Sequence, residues 1–477
     1  MVNQAGRYGL RWLLASALSL PVTLPALAQV AEKMPATVDA YAAGYRAAFT
    51  CSAVFNAGKS LEAIERDELT GIYPALSERV KQFDAQVDHQ HKRVTVTYSE
   101  QMPPRIALWR PQLGCVQLPV GASLSKAHFL PQIAADEQPA TDTGEPWQQR
   151  AEVNGSSGNQ ALDKVIDKAF SKAYGAGART SAVLIATPDA IIAERYQPGF
   201  TPETSQRTWS VAKSIAVSVV GAAVQQALID VKAPTAIQRW SHALDPRGAI
   251  SVEHLLHMSS GLDSNIAGNR TDRLYVGGGA LVDTALARSL EAAPGTRWKY
   301  ANNDTLLAMR SLRERFDNVE AYLAFPHNAL LNKIGMQHTH LESDWQGDYV
   351  MSSQVWTTSR DLARLGLLYL QRGQWQGEQI LPKDWLAYVS AAAPAQPPEQ
   401  NSQGQPIPGY GAQWWLYNQR FADLPDDTIA ARGNRGQFLF VIPSKQLIIV
   451  RRGYDLAAKP SFQEHQFAAD VLEALSQ

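Results

Sequence analysis

Ser210 and Lys213 stand three residues apart in Arg207-Thr-Trp-Ser-Val-Ala-Lys-Ser214, at the head of an apolar run that reads as a helix. That spacing puts hydroxyl and amine on one helical face, near enough for the amine to help strip the serine proton. The pair allows an activated serine nucleophile; a serine that only caps a helix is the structural alternative. Farther along, Tyr300-Ala301-Asn302 follows Thr296-Arg-Trp-Lys. A phenol titrates near pH 10, and a lysine ammonium beside it would depress it enough to accept a proton and return it to a leaving group. Asn302 can orient the lysine or hydrogen-bond a substrate carbonyl. The third stretch, Ala431-Arg-Gly-Asn-Arg-Gly-Gln437, leads into the apolar run from Phe438 to Ile442. A glycine-flanked edge strand lets a substrate approach closely and offers free amides to an oxyanion, although an ordinary hairpin with glycine bulges has the same pattern.

These groups need rigid carriers. The helix from Ser210 to about Leu228 is apolar nearly all round through Val211, Ile215, Val217, Val219 and Val220, so it belongs at a domain centre with Ser210 at a sheltered terminus. An amphipathic helix from Ala161 to Tyr174 precedes it, stopped by Gly175, and then a hairpin of Ser181–Thr187 and Ile191–Tyr196 about Pro188-Asp189. Residues 230–355 read as helix-dominated. A helix from Thr358 to Gln371, strands at Gln413–Tyr417, Gln437–Ile442 and Leu447–Arg452, and a helix from Phe462 to Leu475 follow. The simplest assembly is an α/β chain of α+β type, an antiparallel sheet flanked by helices beside an all-helical subdomain. Residues 29–135 read as a small N-terminal accessory module, with a helix from Val38 to Phe49 and a strand from Arg93 to Tyr98. Residues 136–159 are polar enough to read as a linker.

Composition narrows the class. With 477 residues, 45% hydrophobic and 19% charged, the chain can bury an ample core. Arg7 and Arg11, the apolar stretch Leu13 to Leu24 and Ala26-Leu27-Ala28 read as a signal peptide over residues 1–28, with an uncleaved anchor as the alternative. The expectation is a bacterial protein, periplasmic or secreted, with no stable membrane insertion after signal removal. In that compartment Cys51 and Cys115 read as a structural disulfide, two buried free thiols being the alternative. A net charge of −1 without a basic cluster points to no nucleic-acid partner. No cofactor and no metal are expected, and His254 and His257, three apart on a helix, read as structural. Trp209, Trp414 and Trp415 read either as walls of an apolar pocket or as core.

Taken in order, the three pieces resemble the serine beta-lactamase and penicillin-binding-protein superfamily, whose signatures include Ser-x-x-Lys, a second polar triplet and Lys-Thr-Gly. The resemblance covers roughly residues 160–477, with the helical subdomain at about 230–355. It is strengthened by His254-Leu-Leu-His-Met-Ser-Ser-Gly-Leu262, Thr358-Ser-Arg-Asp-Leu-Ala-Arg-Leu-Gly366 and Gly409-Tyr-Gly-Ala-Gln-Trp414. Tyr-x-Asn as second triplet is similar to the class C-related esterases, D-aminopeptidases and 6-aminohexanoate-dimer hydrolases. The resemblance implies Ser210 as nucleophile, Lys213 and Tyr300 sharing general-base and general-acid duty, and the amides of Ser210 and Asn434 as oxyanion hole. It also implies Tyr275 and Asn302 as substrate contacts. Where penicillin-recognising members carry Lys-Thr-Gly this chain has Ala431-Arg432-Gly433, and strand alternation points Arg432 away from a site faced by position 431. The expected substrate is therefore a small ester or amide, with D-aminopeptidase, DD-carboxypeptidase or beta-lactamase activity as alternatives. A catalytically silent ligand-binding relative is the reading from a different class.

Overall fold

The computed structural model describes residues 35–72, 74–133, 144, 146–264, 277–456, 459 and 461–477. The signal-peptide expectation, Tyr275 and part of the expected linker lie outside them. At the N-terminal end, α1 (Pro35–Ala57) packs on a small antiparallel sheet, and α2 (Leu61–Asp67) and α3 (Pro74–Val80) pack on α1. The sheet's strands are β1 (Ala85–Asp88), β2 (Arg93–Val96), β3 (Arg105–Arg110) and β4 (Gly114–Gln117). Cys51 on α1 and Cys115 on β4 form a disulfide. This module is not sealed off: Ala42, Tyr45, Phe49 and Ala53 of α1 belong to the same buried apolar cluster as the helices around Ser210.

The principal sheet has eight strands in the order β13-β14-β15-β16-β17-β6-β7-β5. In chain order they are β5 (Gln149–Arg150), β6 (Thr180–Ala186), β7 (Ala190–Tyr196), β13 (Gly409–Tyr410), β14 (Trp415–Leu416), β15 (Ile429–Gly433), β16 (Gln437–Ile442) and β17 (Leu447–Gly453). All neighbours are antiparallel except β5 with β7. Between them fall two shorter sheets, β8 (Gln206–Arg207) with β9 (His340–Leu341) and β10 (Val355–Thr357), and the hairpin β11 (Gln374–Trp375) with β12 (Glu378–Gln379). The expected linker thus contributes a strand, and Trp147 within it is buried.

Period-two alternation sorts the sheet's side chains between two helical layers. Ile429, Ala431, Leu439, Val441, Ile448 and Val450 face α5 (Val211–Gln225) and α10 (Ser359–Leu370), whereas Ala430, Phe438, Phe440, Ile442 and Ile449 face α4 (Gln160–Phe170) and α12 (Glu464–Ser476). The helix α5 is rich in β-branched valine, which intrinsic propensity disfavours, but near-total burial of its residues overrides that preference. The helical region adds α6 (Val252–Leu256), α7 (Leu281–Leu286), α8 (Asn302–Arg313), α9 (Val319–Pro326) and, after α10, α11 (Trp385–Ser390).

Several boundaries differ from expectation. The first helix runs eight residues past Phe49, because Thr50 to Ala53 stay buried against the sheet and the helical core. Gln413–Tyr417 is not a continuous strand: Gln413 is left-handed (φ 59°), its backbone and side-chain amides both donating to the Leu256 carbonyl, and only Trp415 and Leu416 pair in the sheet.

Candidate active site

Ser210 occupies the N-terminal position of α5, but its side chain caps nothing, which leaves the hydroxyl for other work. The residue before it, Trp209, is held at φ 50°, a left-handed conformation that a bulky side chain rarely adopts. Its neighbours impose it. Arg207 pairs with Trp356 of β10, and the Thr208 amide and hydroxyl both donate to the Val355 carbonyl, at 2.8 and 2.9 Å. The chain must then turn sharply into α5, and Ser210 is left only half-buried at the bend.

The i to i+3 spacing does what the sequence suggests. Lys213 Nζ lies 3.2 Å from Ser210 Oγ. It donates to Asn302 Oδ1 at 2.7 Å and to the Ser352 carbonyl at 2.7 Å. Lys213 is 1% exposed, and burial lowers its pKa from 10.5 to about 7. A neutral amine has two hydrogens and one lone pair. Because two oxygens that can only accept take the hydrogens, the lone pair is left for the Ser210 hydroxyl.

Tyr300, just before α8, shares a hydrogen bond with Ser210 and lies with its ring centroid 4.9 Å from Lys213 Nζ. The expected depression of its phenol is reversed. Burial pushes it up to about 12, against the opposing pull of the Ser210 hydrogen bond and the Arg432 charge. A lysine that is itself half-neutral near pH 7 supplies too little positive charge to overcome desolvation, so Tyr300 holds its proton. Its ring leans on Trp415 at 5.4 Å and meets Tyr410 edge-on at 6.0 Å, with Trp298 at 6.3 Å. Of the three expected tryptophans, Trp415 therefore lines the site and Trp209 sits beside Ser210, but Trp414 is core, packed on Tyr369 at 4.9 Å.

On the opposite side, β14 reaches only Ile429 and Ala430 of β15, so the outer edge of residues 431–433 carries no strand partner among the described residues. Gly433 meets the head of α5 at close quarters: a Cβ there would stand 2.3 Å from the Thr208 carbonyl oxygen and 3.2 Å from the Ser210 amide nitrogen. Only glycine fits. Asn434 is the next residue, exposed in the turn between β15 and β16 rather than within the strand, its side chain accepting from the Arg435 amide. Ala431 is fully buried. Arg432 pairs with Glu464 of α12 at 2.5 Å and lies 5.3 Å from the Trp415 ring centroid, so its charge is engaged by a carboxylate while still reaching the Tyr300 phenol.

The structure therefore brings Ser210, Lys213, Tyr300 and Asn302 together, with Asn434 beside them through Gly433. Tyr275 lies outside the described residues. The Ser352 carbonyl has no counterpart in the sequence reading, since every residue has a carbonyl and only the tertiary fold brings this one to Lys213. His254 and His257 are structural: His254 Nδ1 accepts from the Ser251 amide in a capping box, and His257 stacks on Tyr388.

Residues 166–452 match the family model for Beta-lactamase. A 6-aminohexanoate-dimer hydrolase of Paenarthrobacter ureafaciens is 27% identical over 295 residues, 57% of this chain and 72% of that protein. Among solved structures, a family VIII carboxylesterase matches with a TM-score of 0.54 at 14% identity over 68% of this chain and 98% of its own. A penicillin-binding protein homologue from Caulobacter crescentus matches with a TM-score of 0.52 at 14% identity, over 68% of this chain and 98% of its own. A serine at the head of a buried helix, its lysine one turn on, a Tyr-x-Asn partner and a close-packed glycine strand come together here within a match spanning more than half the sequence, and the chain belongs to the Beta-lactamase family of serine hydrolases.

Proposed function

We propose that the protein hydrolyses small esters or amides through an acyl-enzyme on Ser210. The observation that carries this reading is the Lys213 amine, held 3.2 Å from Ser210 Oγ with its hydrogens engaged by Asn302 and Ser352 and its pKa lowered to about 7. A lysine with no catalytic work would not be desolvated at such cost.

In the proposed reaction Ser210 Oγ attacks the substrate carbonyl carbon while its proton passes to Lys213 Nζ. The carbonyl oxygen becomes an oxyanion held by the backbone amides of Ser210 and Asn434. As the tetrahedral species collapses, the bond to the leaving oxygen or nitrogen breaks, and that atom takes the Tyr300 proton. The Lys213 ammonium then reprotonates the phenolate. Water repeats the sequence on the acyl-serine, releasing the acid and restoring Ser210. No cofactor takes part. The names of the Paenarthrobacter relative and the carboxylesterase, an amide hydrolase and an ester hydrolase, support this substrate class.

Penicillins and peptide termini fit less well. Their carboxylate needs a cation on the site face of β15, where this chain has buried Ala431, while the Arg432 charge is engaged by Glu464. Export with removal of residues 1–28 completes the proposal, supported by the Cys51–Cys115 disulfide, which suits an oxidising compartment.

Intact-mass spectrometry after incubation with a fluorophosphonate, a penicillin and a para-nitrophenyl ester, on wild type and Ser210→Ala, tests the reading. Fluorophosphonate adduct and ester turnover that vanish in the variant, with no penicillin adduct, are expected. A wild type inert toward all three would sink the hydrolase and favour a ligand-binding role.

A further inference from the structure

The N-terminal module, which the family match leaves out, touches three of the backbone segments that bear on the proposed chemistry. Behind the nucleophile turn, the Arg207 guanidinium lies 3.5 Å from the Trp209 ring centroid and 4.5 Å from that of Phe49 on α1. Behind the lysine, the buried Glu342 carboxylate forms a hub. Its Oε1 accepts from Ser52 Oγ at 2.7 Å, Asn56 Nδ2 at 2.8 Å and the Cys115 amide at 3.1 Å, all from the module. Its Oε2 accepts from Gln354 Nε2 at 2.6 Å.

Main-chain bonds tighten the same loop. The Glu342 amide donates to the Gln354 carbonyl and the Val350 amide to the Glu342 carbonyl, so residues 350–354 close on Glu342 with the Ser352 carbonyl between them. The approach is tight enough to require Gly114 (φ 59°), where a Cβ would stand 2.9 Å from Glu342 Cγ. Behind the oxyanion turn, Arg435 Nη1 donates to the Asp67 carbonyl of α2 at 2.5 Å. Asp67 is itself fixed by Lys59 at 3.2 Å and by Arg179 at 2.9 Å.

We infer that the N-terminal module is a brace for the active site, with Glu342 and Arg435 as its positioning residues: Glu342 sets the Ser352 carbonyl that holds Lys213, and Arg435 sets the turn that presents the Asn434 amide. This rests on the hydrolase reading above. The physical basis is that a buried carboxylate with four donors cannot shift without leaving some unsatisfied, so it transmits the position of α1 to the 350–354 loop. An appendage that contributed stability alone would have no reason to converge on these three segments.

The test uses the full chain with its disulfide intact, comparing wild type, Glu342→Leu and Arg435→Met. Turnover of a para-nitrophenyl ester is followed across the neutral pH range, together with hydrogen exchange. Each folded variant is expected to lose roughly tenfold to a hundredfold in kcat with KM nearly unchanged, the size of effect that ångström-scale misplacement produces. In Glu342→Leu the acid limb of kcat/KM moves to lower pH, because the Lys213 ammonium loses an acceptor; in Arg435→Met the limb stays in place. Exchange speeds up across 350–355 in the first and 433–437 in the second. Wild-type kcat and unchanged local exchange in folded variants would overturn the brace, and Arg435→Met decides alone if Glu342→Leu does not fold. An inert wild type with faster local exchange in the variants would sink the hydrolase reading and leave the brace standing.

Discussion

Replacing Lys213 by methionine should abolish turnover yet change stability in opposite directions at low and high pH. The native pKa is about 7 against an ordinary 10.5, so at about 1.4 kcal/mol for each tenfold change in proton affinity the buried ammonium costs roughly 5 kcal/mol below pH 7. The sign follows from linkage. Between about pH 7 and 10.5 the unfolded chain holds more protons than the native one at this position, so wild-type stability rises with pH over that window. Methionine fills similar space without the charge but leaves Asn302 Oδ1 and the Ser352 carbonyl without their donor, a loss of about 2–4 kcal/mol that does not depend on pH. The variant should therefore be about 1–3 kcal/mol more stable than wild type at pH 6 and less stable at pH 10, with the difference moving by about 4 kcal/mol between them. Guanidinium unfolding of both proteins at a series of pH values, disulfide intact, measures this directly. A difference that stays constant with pH would refute the argument, because it would mean that Lys213 carries an ordinary pKa in the folded protein.

The same amine sets the activity profile: kcat/KM for an ester should rise through about pH 7 as Lys213 loses its proton, and a midpoint near 10 would exclude it as a base of the proposed kind. Tyr300→Phe should lower kcat by roughly 10²–10⁴ without moving that acid limb, since the phenol, held up to about 12, remains protonated throughout the neutral range; a limb that shifts with the variant would transfer the base role to Tyr300. Gly433→Ala drives a methyl group to 2.3 Å from the Thr208 carbonyl oxygen and must push the turn away from Ser210. A fall of roughly 10²–10³ in kcat is expected, measured on protein whose circular dichroism matches wild type, and unimpaired kcat would remove residues 433–434 from oxyanion binding.

Much of this molecule is legible in one dimension because its signals are local. The Ser-x-x-Lys spacing determines that hydroxyl and amine share a helical face, and the all-round apolar composition of Val211 to Ala223 requires that helix to be central. Alternation alone places Ala431 toward the helical core and Arg432 toward Glu464. Gln437–Ile442 is a strand over the expected residues because its continuous apolar run is buried on both faces of the sheet. Tertiary structure decided what depends on distant segments meeting. The base assignment is one case: the sequence shows a tyrosine near lysines, but the direction of each pKa follows from how completely each group is desolvated, a property of the packed interior. The Ser352 carbonyl, the Gly433 contact and the Glu342 hub are others, because backbone atoms and buried polar clusters carry no periodicity and no residue-type signature. The N-terminal segment is the clearest. Its composition reads as a separate module, and only the fold places Phe49, Ser52, Asn56 and Asp67 behind the backbone of the candidate site, since contacts between segments so far apart in the chain leave no trace in local sequence.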